Sequence, residues 1–127
     1  MVAVSKNRIQ ELTRAELEIM QVLWRIGAGV VRDILEELEA PKPAYNTVST
    51  IVRILEKKGF VGHKAYGKTH EYYPLVTKDD YARRYMDQVL SSFFGGSVSR
   101  LVSFFSEHKA ISVEETDAIL KMLRDGR

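Results

Sequence analysis

Asn46, Thr50, Arg53 and Lys57, with Ser49 on their flank, are the side chains of this sequence whose types and spacing carry the most chemistry. An arginine guanidinium can bond both acceptors of a guanine edge and an asparagine amide can bond adenine, while hydroxyls and ammonium groups reach phosphate oxygens. On a helix these five residues share one side, and none of them is acidic. That combination fits a surface that enters a DNA groove. Thr47 and Tyr45 adjoin it, Lys42 precedes it, and Lys58, Lys64 and Lys68 follow it. The expected division of labour gives base edges to Asn46, Thr47, Ser49, Thr50 and Arg53, and phosphates to Lys57, Lys58, Lys64 and Lys68. The opposing reading is an ordinary solvated face, which every amphipathic helix possesses. Surface helices usually mix signs, however, and the sole acid here, Glu56, lies off the centre line.

The elements that must hold these groups can be read from periodicity. Val48, Ile51, Val52 and Leu55 fall at i, i+3, i+4 and i+7, which predicts a helix from Tyr45 to Lys58 with its apolar stripe turned inward and Gly59 as its stop. Upstream, Thr13 and Glu16 form a capping box that opens a first helix carrying Leu17, Met20, Leu23 and Trp24, closed by Gly27-Ala28-Gly29. Val31, Ile34, Leu35 and Leu38 mark a short second helix from about Arg32 to Glu39. Its outer acids, Asp33, Glu36, Glu37 and Glu39, would repel phosphate, so it should face away from DNA. Pro41 and Pro43 break the chain before the central helix. After Gly59 the period changes to two: Val61–Tyr66 and Thr69–Tyr73, separated by Gly67-Lys68, predict a hairpin with Lys68 near its tip. Three helices and a basic hairpin make the winged-helix variant of helix-turn-helix, in which the third helix lies in the major groove and the wing touches backbone or minor groove. Met1 to Leu12 show no period and read as an arm.

Charge distribution agrees. The 127 residues carry a formal net charge of only +2, but Lys42 to Val76 hold six Lys/Arg against two acids, whereas from Thr77 onward eight bases balance eight acids. Cysteine is absent, which excludes disulfides and thiolate metal sites. No run approaches the roughly 18 apolar residues of a membrane span, and the N-terminus has no secretory pattern, so the chain reads as soluble and cytoplasmic. No catalytic constellation emerges, and neither an enzyme activity nor a cofactor is expected. His63 and His70 sit on opposite strands of the hairpin, yet two imidazoles without a third ligand make a weak metal site; a wing histidine near phosphate is the favoured reading.

Four segments in fixed order, Leu12-Thr-Arg-Ala-Glu-Leu-Glu-Ile-Met-Gln-Val-Leu-Trp24, Tyr45-Asn-Thr-Val-Ser-Thr50, Leu55-Glu-Lys-Lys-Gly-Phe-Val61 and the Gly67 to Pro74 wing, carry a resemblance. They resemble the penicillinase-repressor family, the BlaI-, MecI- and CopY-type bacterial repressors, strongly from Leu12 to Leu75 and more loosely beyond. The resemblance implies a homodimeric transcriptional repressor that binds a pseudo-palindromic operator. In antibiotic-responsive members a membrane sensor-protease triggers cleavage in the C-terminal domain. The corresponding bond here would join Phe104 and Phe105, with Phe104 standing where the cut members carry Asn. Copper-responsive members carry a C-terminal cysteine cluster that this chain lacks.

Beyond Val76 the pattern is helical, with a Thr77/Asp80 cap, Gly95-Gly96, Ser97 as the start of another helix, a break near Ala110, and a second capping box at Ser112 and Glu115. So much Phe, Leu and Val in so short a tail would leave a broad apolar surface on a monomer, and a second copy is the simplest cover. The expected organisation is mainly α with a small β-hairpin wing: residues 1–76 as a winged-helix DNA-binding domain and 77–127 as a helical dimerisation domain. A competing functional class is a winged-helix protein-interaction module without specific DNA binding. Cations at Arg53, Lys57, Lys58, Lys64 and Lys68 favour DNA, since a protein-contact surface would show exposed aromatics, for which only Tyr45 and Tyr66 are candidates.

Overall fold

The computed structural model describes residues 11–108 and 111–125, so the arm expected over Met1 to Leu12 and the break near Ala110 lie largely or wholly outside the described residues. The elements run α1 (Arg14–Ile26), α2 (Val31–Glu37), α3 (Tyr45–Lys57), β1 (Val61–Tyr66), β2 (Thr69–Pro74), α4 (Lys78–Phe93), α5 (Val98–Glu107) and α6 (Val113–Asp125). The described residues up to Ala82 form one compact unit and those from Arg83 onward another. None of the described helices is long and apolar enough to cross a membrane.

In the first unit, α1 starts where its capping box places it. Thr13 Oγ1 accepts from the Glu16 amide at 3.1 Å, and Glu16 Oε1 accepts from the Thr13 amide at 2.8 Å. Gly27, at φ +89°, ends the helix, its amide donating to the Leu23 carbonyl. One core joins the three helices to the hairpin, with Met20, Leu23, Ile34, Val48, Val52 and Leu55 fully buried. Burying one such side chain contributes about 1.5–3 kcal/mol, so the stripe of α3 fixes which side of that helix is left outside.

The strands pair antiparallel with Val61 opposite Pro74 and Tyr66 opposite Thr69, leaving Gly67-Lys68 as a two-residue turn. Gly67 has φ +63°. Gly67→Ala should therefore destabilise the hairpin by about 1 kcal/mol, seen as faster amide exchange along β1. A bridge between Gly29 and Tyr72 attaches the extended Gly29-Val30 segment to the edge of the hairpin. Helix α2 begins at Val31 and ends at Glu37, one residue earlier and two residues shorter at its end than its apolar repeat suggests. Leu38 turns extended there, and the Lys42 ammonium binds the carbonyls of Leu35, Glu36 and Leu38 at 3.1, 2.7 and 2.8 Å. A cation at a helix C-terminus satisfies carbonyls that have no intrahelical partner.

The second unit is built from the rest of α4, with α5 and α6 packed on each other. Gly95 and Gly96, both at positive φ, close α4, and the Gly96 amide returns to the Leu90 carbonyl. Ser97 caps α5 through the Arg100 amide, and Ser112 and Glu115 form the reciprocal box that opens α6. Val102 is buried, but Phe93 is 77% exposed, Val113 71% and Met122 69%.

Candidate nucleic-acid interface

Helix α3 displays Asn46, Thr47, Thr50, Arg53 and Lys57 exposed, with Ser49 half-buried between them and Tyr45 50% exposed at the N-terminal end. Its buried residues, Val48, Val52 and Leu55, lie on the other side. Arg53 is preorganised, since its Nη2 donates to Ser49 Oγ one turn earlier at 3.1 Å. Lys64 and Lys68 are exposed on the wing. Between α3 and the wing runs a groove of about 430 Å³ whose walls include Tyr45, Ser49, Arg53, Lys68, His70 and Tyr72. Glu56 is its acid, and that carboxylate is engaged by His63 Nδ1. Burial pushes the Tyr72 phenol up; the Glu56 charge adds to the shift, the Arg53 charge opposes it, and Tyr45 adds a smaller push. Tyr72 therefore stays a neutral hydroxyl.

A convex helix bearing amide, hydroxyl and guanidinium groups beside a cationic hairpin is a shape that duplex DNA can accept. The family model of the penicillinase repressor matches residues 12–125. The chain belongs to the penicillinase repressor family. Relatives include the methicillin resistance regulatory protein MecI of Staphylococcus aureus strain N315, 28% identical over 118 residues that cover 92% of this chain and 96% of that protein. The penicillinase repressor of Bacillus licheniformis is 27% identical over 120 residues, 94% of either chain. Among solved structures, the DNA binding domain of the repressor BlaI is similar with a TM-score of 0.50 and 29% identity, over 58% of this chain and 92% of that one.

Within this family member the expected site residues divide into two groups. Asn46, Thr47, Ser49, Thr50, Arg53 and Tyr45 stand together on α3, with Lys57 farther along it and Lys64 and Lys68 on the wing. Lys42 and Lys58 are placed differently. The Lys42 ammonium is taken up by the carbonyls at the end of α2. Lys58 turns toward α1, where its Nζ lies 2.9 Å from each carboxylate oxygen of the buried Glu16. Burial alone would raise the Glu16 carboxyl, but the Thr13 amide, the hydrogen bond and charge of Lys58 and the Thr13 hydroxyl together hold it below its ordinary value of 4.5.

Periodicity did not find the contacts of Glu56. Its carboxylate meets His63, and the His70 ring stacks on His63 at 4.1 Å between centroids. The wing histidines do come together as their strand positions suggest, but half-buried His63 serves the α3–wing contact, while His70 is exposed. Among the described residues no group of three or more His, Cys, Asp or Glu could hold a metal ion. The acids of α2 are exposed, and Glu37 pairs with Arg25 of α1 at 3.0 Å. In the second unit, Phe104 and Phe105 lie on α5, 44% and 42% exposed, with the Phe104 ring 5.5 Å from Phe94 and 4.3 Å from His108.

Proposed function

We propose that this chain is a sequence-specific DNA-binding transcriptional repressor that acts in the cytoplasm as a homodimer on a pseudo-palindromic operator. The observation that carries the reading is the exposed Asn46–Arg53 face of α3, free of acids and flanked by the cationic wing. Its base-reading residues are Asn46, Thr47, Ser49, Thr50 and Arg53, and Lys57, Lys64 and Lys68 hold phosphates. Lys42 and Lys58 serve chiefly to hold α2 and α1 in place. Residues 1–76 form the DNA-binding part, and the part from 77 onward pairs two copies, covering the exposed Phe93, Phe104, Phe105, Val113 and Met122. Two copies engage two half-sites one or more helical turns apart, which multiplies the contacts of a single domain. Light scattering at micromolar concentration should give twice the monomer mass.

Selection of bound duplexes from a random pool tests the DNA reading, and a single palindromic consensus is the expected result. Lys68→Ala should weaken consensus and scrambled duplexes alike and lower the slope of log affinity against log salt by about one unit. Equal binding of every duplex by the wild-type chain would leave a non-specific DNA binder. An absence of all binding would return the choice to a protein-interaction module. Release by a sensor-protease, through scission between Phe104 and Phe105, would require α5 to open locally, because both residues lie inside that helix.

A further inference from the structure

Helix α3 carries on its outer face an apolar side chain that has no part in the base and phosphate contacts assigned so far. Ile54 is 41% exposed, although the same helix buries Val48, Val52 and Leu55 completely. At about 3.6 residues per turn it falls one turn beyond Thr50, two turns beyond Thr47 and three residues before Lys57, all of them exposed. On the helical wheel, exposed Thr47 lies between Ile54 and the half-buried Ile51, so Ile54 belongs to the DNA-facing side and not to the rim of the core. Arg53, its neighbour in sequence, leaves the helix on the other flank, where it bonds Ser49 and both line the groove beside the wing. Thr47, Thr50 and Ile54 are not among the residues that line that groove. The outer face thus has two edges: a polar one of Ser49 and Arg53 toward the wing, and one of Thr47, Thr50 and Ile54 that carries methyl groups.

We propose that Ile54 is a specificity-determining residue that packs against the C5-methyl group of a thymine in the major groove, with the methyls of Thr50 and Thr47 extending the same apolar edge. The inference rests on the repressor reading and deepens it, because it gives a base to a side chain that has no hydrogen-bonding group. Thymine is the base that presents a methyl in the major groove, where the other three offer donors and acceptors. A cytosine amino group or a guanine oxygen set against Ile54 would lose its water and gain no partner, so the side chain selects by refusal as well as by contact. Branching at Cβ fixes χ1 in a helix, so these methyls are held in one geometry before DNA arrives and little freedom is lost on docking. Single apolar residues are ordinary on protein surfaces. This one is bracketed by Thr50 a turn before it and Lys57 a turn after it, both on the face that meets DNA. Arg53 and Ile54 then read with unlike chemistry, the guanidinium taking acceptors on one flank and the isoleucine a methyl on the other.

The test replaces the thymines of the selected duplex with deoxyuridine, one base pair at a time, and measures affinity for wild type, Ile54→Ala and Lys68→Ala. Deoxyuridine keeps every hydrogen-bonding group of thymine and lacks only the C5-methyl. Ile54→Ala is expected to fold, since alanine is the better helix former at an exposed position. For wild type, one thymine in each half-site should be sensitive, its replacement weakening binding about fourfold, the factor that corresponds to one methyl-sized group removed from water. For Ile54→Ala the same replacement should leave affinity unchanged. Lys68→Ala, which loses a phosphate contact, should bind more weakly throughout and keep the full fourfold effect. A wild type indifferent to deoxyuridine at every position would overturn the inference. So would an effect that persists at full size in Ile54→Ala, or one that vanishes equally in Lys68→Ala. A random pool that yields no consensus would sink the repressor reading and this inference together, whereas a firm consensus insensitive to deoxyuridine would remove the inference alone.

Discussion

Replacing Arg53 with alanine is expected to cost about 1–3 kcal/mol of operator affinity and to relax the preference at one base pair, the loss associated with a bidentate arginine–guanine contact. Arg53 is exposed and already ordered by Ser49, so little side-chain freedom is lost when it enters a groove. Its effect should therefore be larger and more sequence-dependent than that of a wing lysine. Ser49→Ala should show a fraction of it, since the guanidinium stays but its tether goes. Competition binding with single-base variants of the selected duplex reads the outcome. If Arg53→Ala weakened every duplex by the same factor, Arg53 would be a phosphate contact and base reading would fall to Asn46 and Thr50.

Replacing Glu16 with alanine should destabilise the first unit by about 3 kcal/mol, because it strips the partner from the Lys58 ammonium and the second half of the cap from α1. For a unit of this size that is a fall in melting temperature of roughly 15 °C. The pH dependence has a definite sign. The Glu16 carboxyl is held below its ordinary value of 4.5 in the fold, so its contribution is complete above that value and is lost as pH falls through the lower native one. Thermal melts between about pH 6 and pH 3 should show wild type losing more stability than Glu16→Gln. Parallel curves would mean that Lys58 leaves the pair at little cost.

These two residues illustrate what could be read from the chain and what could not. The caps at Thr13 and Ser112 are spacing signals of three residues, and the α3 stripe repeats within two turns, so local rules suffice for them. The exposed face of α3 followed from that stripe alone. Lys58 meets Glu16 across 42 positions, and no repeat in either segment announces the meeting. A helical wheel gives the direction in which a side chain leaves its own helix and says nothing of the neighbour waiting there. Lys42 illustrates a different failure: a long flexible cation after a short helix can reach phosphate or fold back onto the carbonyls of the helix end, and only the path of the Pro41–Pro43 connection decides between them. The histidine stack needed both the strand register and the Glu56 azimuth, each legible singly, to be combined in space.

Trp24 is the single tryptophan of the chain, and its indole N–H donates to the Val76 carbonyl at 2.8 Å, with the Tyr81 ring 6.2 Å away. Its ultraviolet emission therefore watches the seam between the first helix and the strand-to-helix connection, and Trp24 is not among the residues that line the α3–wing groove. A red shift would report that this seam has opened to water, whereas docking of a duplex onto a closed unit should leave the spectrum in place. One optical signal thus separates loss of structure from occupancy, without any label attached to the protein.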